Sequence, residues 1–141
     1  MAVVEELLRA ESNGTIGFGN HTLEAKTKKE DFQYEGDIYK VKTYQEITKL
    51  EKNEMFLYES VPGTSVTEFK EDATGVSFVV EGDKDAQITI GLADETEYEV
   101  YINDSSAGIM KTHFGGKLSL SVELAGAGEV KVNVKKAESE G

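Results

Sequence analysis

Two histidines, 27 aspartates and glutamates, one arginine and no cysteine are the raw material for chemistry in this 141-residue chain. His21 and His113 each stand beside glycine-containing turn sequence, Gly19-Asn20-His21 and His113-Phe114-Gly115-Gly116. Loop histidines ligate a metal or share a site when a fold brings them together. Neither has a histidine or cysteine partner two or four positions away, and most of the chain separates them. The spacing therefore reads as two independent surface residues. With no cysteine there is no thiolate nucleophile, and a zinc site would have to combine both histidines with carboxylates. No serine sits in a Gly-x-Ser-x-Gly elbow, which needs a strand-to-helix turn. Gly115-Gly116-Lys117 lacks the spacing and the following helix of a phosphate loop, and Gly17-Phe18-Gly19 also lacks a helix.

A glycosidase needs two carboxylates opposed across a cleft, one of them kept protonated by its surroundings. Most acids here alternate with apolar residues, as Glu97 and Glu99 do around Tyr98, or occupy turns, where a solvated face expects them. Gly82-Asp83-Lys84-Asp85, Asp94-Glu95 and Asn103-Asp104 supply oxygen ligands of the kind calcium uses, but none matches an EF-hand loop. Aspartate is also common in turns for local hydrogen-bonding reasons. No catalytic residue, metal ligand or cofactor is assigned on this basis. Sugar-binding sandwiches stack pyranose rings on exposed aromatic side chains, and this chain has six Tyr, six Phe and no Trp. Tyr98 with Val100 and Ile102, and Phe78 with Val76 and Val80, share inward-facing registers. Tyr101 is out of phase with that row and Phe114 lies in a loop. These two are the candidate ligand-binding residues, with packing under a loop or in a subunit contact as the competing role.

The elements that must position these groups follow a period of two. Ala86–Leu92, Tyr98–Ile102, Leu118–Leu124 and Val130–Lys135 alternate apolar with polar residues, which places one row on a core and the other in water. Upstream, Asp31–Tyr34 and Ile38–Tyr44 flank Glu35-Gly36-Asp37, and Ile47–Leu50 and Met55–Glu59 flank Lys52-Asn53-Glu54. Val66–Phe69 pairs naturally with Val76–Val80 across Asp72–Gly75. Gly82–Asp85 and Ala93–Thr96 read as closing two further hairpins, and Thr22–Lys26 as another short strand. Val61-Pro62-Gly63-Thr64 reads as a turn in which proline presets one dihedral and glycine supplies a positive φ. The sum is an all-β chain, an antiparallel β-sandwich (jelly-roll or Ig-like) of about ten short strands with turns roughly every eight to twelve residues. One domain spans 1–141. Its N-terminal arm, 1–11, leads into a hairpin at Ser12-Asn13-Gly14, with a short helix as the rival reading, and a flexible tail covers 137–141.

Composition narrows the partners. Hydrophobic residues at 38% with 30% charged belong to a folded globular chain and not to a disordered one. A formal charge of −12 repels phosphate backbones and anionic leaflets, so neither nucleic acid nor membrane is an expected partner. The one basic cluster, Lys26, Lys28 and Lys29, runs straight into Glu30-Asp31 and reads as a solvated charged loop. The lone arginine, Arg9, cannot supply the paired guanidinium grip that a polyanionic substrate requires. No basic leader with an apolar core opens the chain, and the expected location is cytoplasmic.

Two resemblances accompany these readings. Gln87-Ile88-Thr89-Ile90-Gly91-Leu92, Thr96-x-Tyr98-x-Val100-Tyr101-Ile102-Asn103 and Gly115-Gly116-Lys117-Leu118-Ser119-Leu120-Ser121-Val122 carry the first. Over Phe56–Lys136 the chain resembles the small Ig-like or jelly-roll modules appended to bacterial polysaccharide-acting enzymes. Ser12–Asn20, Gly36–Thr43 and Glu59–Thr64 carry the second, in which nearly the whole chain is similar to a family of small bacterial proteins labelled endosialidase. That label implies hydrolysis of polysialic acid, and no catalytic motif of the family transfers residue by residue.

The resulting expectation is a non-catalytic structural or protein-interaction module that associates with itself, its sheet edges and N-terminal arm giving a route to a homo-oligomer. A carbohydrate-binding module is the alternative, and a glycan hydrolase of the endosialidase type the further one.

Overall fold

The computed structural model describes residues 3–137. Thirteen strands follow one another: β1 (Leu8–Ala10), β2 (Ile16–Phe18), β3 (Thr27–Tyr34), β4 (Asp37–Tyr44), β5 (Ile47–Lys52), β6 (Met55–Val61), β7 (Ser65–Asp72), β8 (Gly75–Glu81), β9 (Ala86–Gly91), β10 (Glu97–Ile102), β11 (Ser105–Lys111), β12 (Lys117–Val122) and β13 (Val130–Lys136). They form a seven-stranded sheet in the order β1-β2-β7-β8-β13-β10-β11 and a six-stranded sheet in the order β12-β9-β6-β5-β4-β3. All pairings are antiparallel. Both sheets keep free edges, so the architecture is a sandwich and not a closed barrel.

The two-residue period explains which side of each sheet is buried. Leu118, Leu120 and Val122 of β12 are buried while Lys117, Ser119 and Ser121 are exposed. Opposite them in register stand Ile90, Ile88 and Ala86 of β9. Val130, Val132 and Val134 of β13 face inward beside Val80, Phe78 and Val76 of β8. Between the sheets Phe18, Tyr58, Phe69 and Phe78 form one aromatic cluster, with Phe18 and Tyr58 edge to face at 5.0 Å and Tyr58 and Phe78 at 5.5 Å. Such pairs add to burial through the attraction between ring edge and ring face.

Several expectations need correction. The basic stretch around Lys28 and Lys29 is not a loop but part of β3, while residues 22–26, expected as a strand, are turn and bend. As the outer strand of its sheet, β3 has little core to touch, so charges suit it and its hydrophobic period is weak. The segments at 82–85 and 93–96 do not close hairpins. They carry the chain from β8 to β9 and from β9 to β10, each time from one sheet to the other. Alternation shows which face of a strand is apolar, not which strand lies beside it. The described part of the 1–11 segment does not project as an arm: β1 pairs with β2, and the Val4 N–H donates to the Gly19 carbonyl at 3.1 Å. Of the 137–141 tail, all but Ala137 lies outside the described residues.

The Val61–Pro62 turn also differs from expectation. Its peptide is cis, and Gly63 is not among the residues of positive φ. Glycine is needed there for room instead: a Cβ at position 63 would lie 1.9 Å from the Tyr44 carbonyl oxygen.

Candidate functional site

Among the described residues, three places stand out by shape or by unpaired chemistry. The first is a cleft of about 440 Å³ at one end of the sandwich, lined among others by Lys52, Phe56, Glu71, Asp72, Tyr98 and Lys117. Two of its ionisable groups, Lys52 and Glu71, are committed to each other. The Lys52 ammonium sits 2.6 Å from Glu71, and this hydrogen bond raises the lysine pKa. Asp72 accepts from the Thr74 hydroxyl at 2.6 Å and the Thr74 N–H at 2.8 Å. Those bonds hold its carboxyl below the usual range. Neither environment favours the protonated carboxylic acid that glycosidic cleavage calls for. Lys117 extends over the Phe56 ring at 4.6 Å, covering the aromatic face a sugar would use.

The second place is built around His21. Contrary to the surface position expected for it, His21 is only 3% exposed, whereas His113 is exposed and no contact joins the two among the described residues. The residues after β2 carry His21 back against the start of β7. There Ser65 Oγ accepts the His21 backbone N–H at 3.2 Å and lies 2.7 Å from the imidazole Nδ1. The hydrogen on Ser65 Oγ has no other acceptor among the described residues, so it points to Nδ1. The second ring nitrogen, Nε2, therefore carries the proton. Nε2 has no hydrogen-bond partner among the described residues, and its nearest charged neighbour is Asp83 Oδ1 at 3.6 Å. Asp83 lies on the 82–85 connection between β8 and β9 and its side chain is 70% exposed. With Gln45, Pro62, Gly63 and Lys84, these residues line a cleft of about 240 Å³.

A buried lattice of hydroxyls supports this end of the molecule. The Asn20 N–H donates to Thr43 Oγ1 at 2.9 Å, and Thr43 and Thr48 share a hydroxyl–hydroxyl bond at 2.8 Å. Thr48 donates to the Thr64 carbonyl at 2.8 Å and accepts from the Thr64 N–H at 3.0 Å. Because the Thr48 hydrogen is spent on that carbonyl, the Thr43 hydroxyl must be the donor to Thr48. The Thr64 hydroxyl meets Tyr58 and Ser60, each at 2.8 Å. Burial pushes the Tyr58 phenol far above its ordinary value, against the smaller opposing effect of these bonds. Completed networks of this kind fix one arrangement of a polar core.

Serine, histidine and aspartate thus meet, but not as a hydrolytic triad. The serine faces Nδ1 and the aspartate faces Nε2, the reverse of the arrangement in which Nε2 takes the nucleophile's proton. Ser65 is also 1% exposed, out of reach of a substrate. Of the aspartates considered for calcium, Asp85 is occupied in accepting the Leu124 and Ala125 N–H groups, each at 3.0 Å. No group of three or more His, Cys, Asp or Glu side chains is poised for a metal among the described residues.

The third place is the outer edge of the seven-stranded sheet. Residues of β11 from Ser105 to Ile109 and Lys111 are exposed, whichever face they point to, and only Met110 is partly covered. β11 is the last strand of the larger sheet. Ile109 is 60% exposed. The two aromatic candidates precede and follow this strand in the chain. Phe114, in the connection from β11 to β12, is 91% exposed. Tyr101, on β10, is half-buried, and a hydrogen bond with Glu99 raises its phenol. No ring contact joins them and neither lines the two clefts described above.

Nothing local in the sequence marks His21 as buried. Its importance comes from Ser65, forty-four positions away, and no local pattern marks that meeting. The chain matches no protein-family model, no curated protein and no solved structure.

Proposed function

We propose that this protein is a non-catalytic structural module that associates with a second copy of itself by pairing β11 with β11. The observation that carries the reading is the open β11 edge, with side chains exposed on both faces and no charged residue from Ser105 to Met110. An unpaired strand edge presents a row of free N–H and C=O groups and recruits another strand unless something guards it. Two of the other three edges are guarded. β1 has three residues. β3 carries Lys28, Lys29, Glu30 and Asp31 and a register shift between Lys29 and Phe32. The last edge, β12, begins with the exposed Lys117 and alternates exposed with buried residues, so it offers side chains to a partner on one face only. β11 has a register shift of its own, opposite Val100 and Tyr101, where Gly108 has φ +102 and donates its N–H to the Ser106 hydroxyl at 3.2 Å, but it is neither short nor charged between Ser105 and Met110.

Antiparallel pairing about Gly108 is self-complementary, as a two-fold interface must be. It brings the Asp104 end of each strand to the Lys111 end of its counterpart, so opposite charges meet at both limits of the contact. The net charge of −12 works against any such pair at low salt, and screening relieves it. Sedimentation velocity over a concentration series tests the reading. A dimer that strengthens from low to moderate salt, and that Ile109→Lys weakens at least tenfold, is expected. A wild-type chain that stays monomeric to millimolar concentration at every salt, or an Ile109→Lys chain that associates as the wild type does, overturns it.

A further inference from the structure

The geometry points to a binding site for a neutral, hydroxyl-bearing ligand of about one sugar ring in the cleft formed by His21, Gln45, Pro62, Gly63, Asp83 and Lys84. The starting observation is the buried Nε2–H of His21, a donor with no partner. Leaving a buried donor unmade costs about 1–3 kcal/mol, so such a group marks a place where an acceptor belongs. The ring is not free to turn this donor elsewhere, because Ser65 holds Nδ1 and the His21 backbone at once.

The chemistry of the acceptor follows from what surrounds Nε2. A metal ion needs a lone pair on this nitrogen, and the Ser65 hydroxyl directs the proton there instead. A phosphate or carboxylate would accept from Nε2–H but would then face the Asp83 carboxylate, 3.6 Å from the same nitrogen. A hydroxyl group satisfies both: its oxygen accepts from Nε2–H and its hydrogen goes to Asp83. Gln45 and Lys84 can serve a neighbouring hydroxyl, and Pro62 offers an apolar surface for a ring face. Asp83 and Lys84 carry opposite charges, so the cleft favours a neutral polyol over an ion. Its volume of about 240 Å³ lies below the roughly 300 Å³ at which sites for drug-sized ligands begin, which suits a single ring. Asp83 lies over Nε2 and is exposed, so its rotation outward admits the hydroxyl.

The test is a long-range nitrogen–proton NMR spectrum of the His21 imidazole in the full chain, titrated separately with D-glucose, D-galactose, D-mannose and N-acetyl-D-glucosamine. The unliganded spectrum shows the Nε2–H form. At least one sugar produces a saturable shift of the Nε2 signal in the millimolar range. Asp83→Asn, at an exposed position that leaves the fold intact, weakens that response about tenfold, in line with the loss of a charge-assisted hydrogen bond. Inorganic phosphate and zinc chloride are the contrasting probes. A His21 signal that no sugar moves overturns the proposal, as does an Asp83→Asn response equal to that of the wild type. Saturable binding of phosphate, or loss of the Nε2 proton to zinc, in place of the sugar response also overturns it.

Discussion

The imidazole Nδ1 of His21 and the hydroxyl oxygen of Ser65 lie 2.7 Å apart in the protein interior, and the same oxygen accepts the His21 backbone N–H at 3.2 Å. One serine thus satisfies two donor–acceptor demands of a single residue and pins the segment after β2 to the first residue of β7.

Ser65→Ala removes both contacts and leaves a buried N–H and a buried ring nitrogen without partners. The expected loss is about 1–3 kcal/mol, the scale of an unsatisfied buried polar group. Urea denaturation reads it as a lower midpoint at unchanged slope. In the same variant the imidazole is released, so its NMR signals change from one tautomer to a mixture. A midpoint and a tautomer both equal to the wild type would show that Ser65 does not set the ring.

Thr48→Val keeps the shape of the side chain but breaks the lattice at its branching point. The Thr43 hydroxyl loses its acceptor, and the N–H and carbonyl of Thr64 lose their partner. A cost of about 3 kcal/mol is expected. Thr89→Val is the control, because the Thr89 hydroxyl meets Ser119 at 3.1 Å on an exposed face, and its effect stays within about 0.5 kcal/mol. Thermal unfolding of the two variants side by side tests the difference.

These two sites also show what was legible in the sequence. Strands with one face buried announced themselves: in β12 every second residue is apolar and buried, and Tyr98, Val100, Val76, Phe78 and Val80 lie inward as their register required. β11 left no such trace, because exposure on both faces removes the alternation that reveals a strand. The lattice was illegible for another reason. Thr43, Thr48, Ser60, Thr64 and Ser65 are buried, yet hydroxyl residues read as surface until their partners across the sandwich are known. Of Tyr101 and Phe114, the aromatics outside the core row, Phe114 is the one that stands free in solvent. The exposed sheet edge near them depends on strand order, which periodicity does not encode.

Gly63→Ala tests the close approach at the β6–β7 connection. Its Cβ would fall 1.9 Å from the Tyr44 carbonyl oxygen, a backbone atom that cannot rotate away. A loss above about 3 kcal/mol is expected, the range of strong steric misfit. Gly126→Ala meets nothing within 4 Å and bears only the strain of φ +69, so it costs about 1 kcal/mol. Equal midpoints for the two variants would contradict the packing assigned to Gly63.

Alkaline pH probes the deepest phenol. Burial holds Tyr58 neutral in the folded chain far above the pH at which it ionises when unfolded. A raised folded pKa means that the stabilisation is complete below the unfolded value of about 10 and declines as pH rises past it. One such proton corresponds to about 1.4 kcal/mol of stability lost per pH unit. Tyr39, whose phenol burial also raises, adds to the same slope. Tyr58→Phe gives up the 2.8 Å bond to Thr64, costing about 1 kcal/mol at neutral pH. Thr64 keeps Ser60 as a partner at 2.8 Å. Above pH 10 the variant lacks the Tyr58 contribution, so its stability falls less steeply and the gap to the wild type narrows. Urea midpoints measured from neutral pH upward give the comparison. Parallel curves for the two chains would mean that the Tyr58 phenol ionises in the fold as readily as it does in the unfolded chain.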